Sequence, residues 1–303
     1  MAQSRTWDVF CAGCAELQPA HANADDALPR LTRGRLFFWV STLLFVNAVL
    51  GEVVRYIADY GIGLAVVNVF GVSIITWVAI AAALSLLAEH AGADSGSPRH
   101  NDWVATAFAF VAAVVPTSTA SAAALSIIAI YLYLTSPARS GLQRAAPIIL
   151  SVTVAVMWGR IALAMFSKTM LRIDAVLVGL LGIRTSENQV FFAVDPGPTM
   201  APHFLIAPGC SSLHSISMAV VFCTVVHGWF GIRATLKSLL VCLAAVVAVV
   251  AINVLRLGAF SYFPAYFDEI HKGWIASLIA WVTVAVIVTI VSFGMKREIL
   301  RQD

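Results

Sequence analysis

Three apolar runs, residues 211–230, 234–257 and 274–294, dominate the C-terminal third of the chain. At ~1.5 Å of helical rise per residue, runs of that length match the ~30 Å hydrocarbon core of a bilayer. A helix bonds every backbone N–H and C=O within its own segment, so it can occupy that medium without leaving polar groups unsatisfied. The remainder of the chain agrees: 60% of its 303 residues are hydrophobic and 12% are charged, a balance that no soluble domain of this size requires. The expected fold class is therefore all-α, a polytopic transmembrane helix bundle of about eight spans.

Basic residues set the expected course of the chain. Residues 1–35 form a polar arm ending in Arg30, Arg33 and Arg35, which predicts a cytoplasmic N-terminus by the positive-inside rule. Residues 36–303 form the membrane domain. A first span covers residues 36–57, and near its far end Glu52 and Arg55 stand three apart as a mutually neutralising pair. A turn at residues 59–63 returns the chain through residues 64–87, and residues 89–102 form a loop. Residues 103–134 accommodate either one long kinked span or, as Pro116 to Thr119 favour, a hairpin of two short helices. Arg139 and Arg144 mark a cytoplasmic loop, and residues 147–166 cross outward. Residues 171–183, with Arg172 and Asp174, suggest a helix lying in the outer interface. Residues 188–194 and 203–207 suggest a small extramembrane hairpin. The last three spans then run in, out and in, ending at Lys296, Arg297 and Arg301. The first 30 residues contain no apolar core of a signal peptide.

Several function classes fall away at this point. The net charge of +3 is small and its cations are scattered, so no nucleic-acid surface is expected. The five cysteines, at 11, 14, 210, 223 and 242, are odd in number and widely spaced, which does not make a disulfide framework. Cys11 and Cys14 form a C-x-x-C, but only His21 is near and a structural zinc needs four ligands. Neither a metal nor another cofactor is expected.

The stretch Ala207-Pro208-Gly209-Cys210-Ser211-Ser212-Leu213-His214 marks where a polar loop enters a membrane helix. A cysteine in the first turn of a helix faces unpaired N–H groups and the positive end of the dipole, which predicts a pKa below the ordinary ~8.5 of a thiol. Counting spans back from the basic C-terminus puts Cys210, Arg256 and His271 at one non-cytoplasmic boundary. They supply a nucleophile, a cation and a general acid–base group, which is equipment for acyl transfer. His214, four residues beyond Cys210, is a rival base because i and i+4 share a helical face. His271 is preferred, since it comes from another segment and can reach both sulfur and leaving nitrogen. Arg256 and Lys272 would lower its pKa while Asp268 and Glu269 would raise it, so its sign stays open.

At these sites the sequence resembles the exosortase/archaeosortase family of membrane-embedded cysteine transpeptidases. Gly209-Cys210-Ser211 is similar to that family's Ala-Cys-Ser-Gly-like motif, Asn253-Val254-Leu255-Arg256 to its Asn-x-x-Arg motif, and His271 to its histidine before the last helix. The likeness spans residues 144–294, and Ser212 stands where the family usually has Gly. The resemblance implies a cysteine endopeptidase or transpeptidase of the bacterial or archaeal cytoplasmic (inner) membrane, with its active site on the outer face. Its partners would be exported proteins carrying a C-terminal motif, a transmembrane helix and a basic tail. By the same resemblance Cys210 attacks the peptide carbonyl, Arg256 stabilises the oxyanion or holds substrate, and His271 protonates the leaving amine. Asn253, Ser211 and His214 are supporting candidates. A transporter and a non-catalytic membrane scaffold are the competing classes. A transporter should show charged or broken helices at mid-membrane in paired repeats, and no internal repeat is visible here.

Overall fold

The computed structural model describes residues 31–89, 96–115, 117–198 and 200–300. Expectations resting on Cys11, Cys14, His21, Arg30, Pro116 and Arg301 lie outside these residues. The body of the protein runs from Thr32 to Asp303, and its described part is an all-α polytopic helix bundle with one three-stranded sheet. Six described helices are long and apolar enough to cross a membrane, and the protein is a membrane protein.

Helix α1 (Arg33–Val67) starts where the Thr32 hydroxyl accepts the Arg35 N–H. It breaks at Gly61, whose φ of 77° lies outside the helical region. The break falls within the expected turn at 59–63, and Gly71 lies back against the Tyr56 ring. A short helical piece runs from the break to Val67, and residues 68–73 lead into α2 (Ile74–Glu89). Helices α3 (His100–Val114) and α4 (Ser118–Thr135) resolve residues 103–134 as a hairpin, with the Thr117 hydroxyl capping α4. At 16 and 15 residues, α2 and α3 are shorter than the six long helices.

Helix α5 (Gly141–Thr153) passes through a π-helical turn (Val154–Trp158) into α6 (Gly159–Gly179). The 39-residue run is kinked at Phe166, so the 171–183 stretch is largely a helical piece set off from the preceding span by that kink. Beyond it lie β1 (Thr185–Ser186), β2 (Gln189–Phe191) and β3 (His203–Leu205). Strands β2 and β3 realise the expected hairpin, with Val190 opposite Phe204, and β1 adds a third antiparallel strand. Helices α7 (Ser212–Phe230), α8 (Leu236–Tyr262), the short α9 (Phe267–His271) and α10 (Trp274–Ile299) complete the body.

Two apolar cores result. The larger lies among the spans, where α5 packs on α2, α4 and α7 through small residues such as Ala83, Ala129, Ala145 and Ala146. Small side chains let membrane helices approach closely, which is where their packing attraction arises. The smaller core lies at the C-terminal ends of α6 and α8 around Val178, Val190, Leu257 and Phe260, and it contains Cys210. Ser261 ties the sheet to α8, donating to the Phe191 carbonyl and accepting the Ala193 N–H.

The opposite end of the bundle is closed by a buried ion pair. Arg33 Nε lies 3.0 Å from Asp102 Oδ1, and Tyr131 donates to the same oxygen at 2.7 Å. Arg33 also reaches Thr135 and Ser136. Arg33 was expected only as a flanking charge, and it is instead an internal tie between α1, α3 and α4. Arg144 similarly donates to the carbonyls of Gly228 and Trp229 at the C-terminal end of α7, where cations complement the dipole.

Candidate active site

Cys210 closes a single 3₁₀ turn, Pro208–Cys210, followed by an extended Ser211 at φ −71° and ψ 143° that caps α7. Cys210 therefore precedes the helix instead of sitting in its first turn. The helix N-terminus is already occupied by an anion from α6. Asp174 accepts the Ser211 hydroxyl at 2.8 Å and the Ser212 N–H at 3.2 Å, and its side chain is buried. Asn253, on α8, donates to the Cys210 carbonyl at 2.9 Å and to the Ser212 hydroxyl at 3.0 Å. Backbone and hydroxyl bonds from two neighbouring helices thus fix the turn. Ser212 supplies one of the acceptors.

His271 ends α9, which is held to α10 by a tight turn at Gly273. A Cβ on Gly273 would lie 2.7 Å from the Glu269 Cα, so only glycine fits without a backbone shift. The imidazole is flanked by Phe260 and Phe267, at ring separations of 5.9 and 5.8 Å. Its Nδ1 stands 3.7 Å from Cys210 Sγ, within reach of a sulfur hydrogen bond. Arg256 donates from one terminal nitrogen to the carbonyls of Ile270 and His271, at 3.3 and 3.1 Å, and its guanidinium lies over Phe260. Its Nε is buried without a hydrogen-bond partner among the described residues. The structure thus brings Cys210, Asn253, Arg256 and His271 together.

Electrostatics in the site reverse the expectation for the thiol. Burial raises the Cys210 pKa above its ordinary value, only partly offset by Arg256 and by the backbone bond at Ala207, and Asp174 adds to the rise. Burial also lowers the His271 pKa, reinforced by Arg256 and Lys272 against the opposing charge of Asp268. Both shifts favour neutral thiol beside neutral imidazole over a thiolate–imidazolium pair. The helix-dipole argument fails because the N–H groups at this terminus are already bonded, that of Ser212 by Asp174 and that of Leu213 by the Ser211 hydroxyl. One expectation follows for alkylation: the rate of Cys210 modification by iodoacetamide should keep rising through and beyond pH 9. A plateau at neutral pH would indicate the ion pair instead.

His214 is placed elsewhere. The extended Ser211 breaks the helical register between positions 210 and 214, so the shared-face argument does not apply. His214 lines a cavity of about 1160 Å³ together with Arg160 and Glu52, and Cys210 and His271 are not among its walls. Asp174 is the site residue that sequence reasoning passed over as part of an interfacial helix. Its signal was present, since it shares a helical face with Leu171 and Val178, which the apolar pattern marks as buried.

No protein-family model, curated protein or solved structure matches the chain.

Proposed function

We propose that the protein is an exosortase-like cysteine endopeptidase or transpeptidase of the cytoplasmic membrane, which cleaves C-terminal sorting signals of exported proteins through a thioester on Cys210. The observation that carries this reading is the 3.7 Å approach of Cys210 Sγ to His271 Nδ1, with Arg256 holding the backbone behind the imidazole. In the resting site His271 Nδ1 is unprotonated and accepts the thiol proton as sulfur bonds to the scissile carbonyl carbon. The backbone N–H groups of Cys210 and Ser211 are committed to the carbonyls of Ala207 and Pro208. The guanidinium of Arg256, only one terminal nitrogen of which is committed to the Ile270 and His271 carbonyls, is therefore the cation left to meet the oxyanion. As the C–N bond breaks, His271 returns its proton to the leaving amine. An acceptor nucleophile then adds to the thioester, giving its proton to His271, and the sulfur leaves and is reprotonated.

The positive-inside rule supports an outer-face site: Arg139, Arg144, Arg233, Lys296 and Arg297 lie at the ends of spans opposite to Cys210, as cytoplasmic ends would. The direct test is processing of a co-expressed exported protein that ends in a short motif, an apolar helix and a basic tail. Cys210→Ala should leave it uncleaved in the membrane fraction. Normal processing in that variant would remove the enzyme reading and leave a scaffold or transporter.

A further inference from the structure

The cavity beside the nucleophile turn contains charged groups that the proposed chemistry does not use. Glu52 is bonded to both Arg55 and Arg160, the latter at 3.4 Å, and both arginines remain more than half exposed. A guanidinium has five N–H donors, so each keeps most of its capacity after this contact. The three side chains sum to one net positive charge. All three line the cavity, with His214 from α7.

Depth identifies the level of this cluster. At ~1.5 Å per residue, Arg55 lies about 33 Å along α1 from Arg33, and Arg160 about 28 Å along its run from Gly141. Against a ~30 Å hydrocarbon core, both stand at headgroup level on the Cys210 side. The rest of the wall is largely apolar, including Val49, Val54, Val156, Leu163 and Met218. Val49, Val156 and Met218 lie inward of the charges along their helices. The π-helical turn contributes Ala155 and Val156 to this wall, and such turns frequently mark functional sites.

We propose that this cavity seats one monoanionic phospholipid, its phosphate between Arg55 and Arg160 and an acyl chain along the apolar wall. The site abuts Pro208 and Gly209, so the lipid would pack against the nucleophile turn from the face away from His271. It does not depend on the enzyme reading, because it is a binding site assembled from charge, depth and shape.

Native mass spectrometry on the purified full chain, titrated with phosphatidylglycerol or phosphatidylcholine, tests it. Wild type should retain one phosphatidylglycerol in preference to phosphatidylcholine, and millimolar inorganic phosphate should not displace it. Combined Arg55→Gln and Arg160→Gln should weaken retention on the order of tenfold. Glu52→Gln frees both arginines and should strengthen it, a change of opposite sign that misfolding would not produce. Equal retention of the two lipids, or unchanged affinity in both variants, overturns the proposal. Displacement by phosphate would make it a free-anion site, and preferred capture of an acidic apolar peptide would make it a peptide site; either result overturns the lipid assignment.

Discussion

Replacing His271 by Ala is expected to lower processing by on the order of 10² to 10⁴, the usual contribution of a positioned acid–base group, while His214→Ala retains substantial activity. The difference rests on geometry. His271 Nδ1 is 3.7 Å from the sulfur, whereas His214 belongs to the wall of a separate cavity. The pH profile supplies an independent reading. A base must be neutral to accept the thiol proton, and the His271 pKa is lowered by burial and by Arg256. Activity should therefore persist below the ~6.5 of a free imidazole before the acid limb sets in. His271→Ala should lose that limb as well as the rate. A collapse in His214→Ala alone, with both proteins folded, would reassign the base.

The second large effect concerns stability. Asp102→Ala should destabilise the bundle by about 3–5 kcal/mol, because it leaves the Arg33 guanidinium buried without its counter-charge. The same substitution also removes the acceptor for the Tyr131 hydroxyl and for the Arg99 N–H that caps α3. Asp102→Asn keeps one acceptor oxygen, enough for the Tyr131 hydroxyl or for the Arg99 N–H but not for both, and should cost less than Ala. A joint Arg33→Met and Asp102→Leu replacement should recover much of the loss, since replacing a buried ion pair by apolar residues is often neutral. Denaturant unfolding in detergent measures all three. An Asp102→Ala protein as stable as wild type would show that water or lipid headgroups already solvate Arg33.

The spans were legible because length and continuous apolarity are local properties, readable wherever a helix must satisfy its own backbone in lipid. The same economy made Cys210, Asn253, Arg256 and His271 conspicuous. Polar groups at the ends of apolar runs stand out, and span counting places them at one level. The turn expected at 59–63 coincides with the break at Gly61, where glycine takes a positive φ at little steric cost. The path over residues 68–73 into α2 depends instead on what that segment packs against, such as the Tyr56 ring beside Gly71.

The sequence alone determined an all-α membrane bundle and a short list of reactive residues at one end of it. Tertiary structure decided what those residues face and which others join them. Asp174 reaches the nucleophile turn across 37 positions and Arg33 meets Asp102 across 69, distances over which no periodicity carries information. The state of the Cys210 thiol was decided the same way. A helix N-terminus alone argues for thiolate, but burial and a carboxylate seated on that terminus argue for thiol. Desolvation and ion pairing depend on neighbours from separate helices, and those neighbours exist only once the bundle has packed.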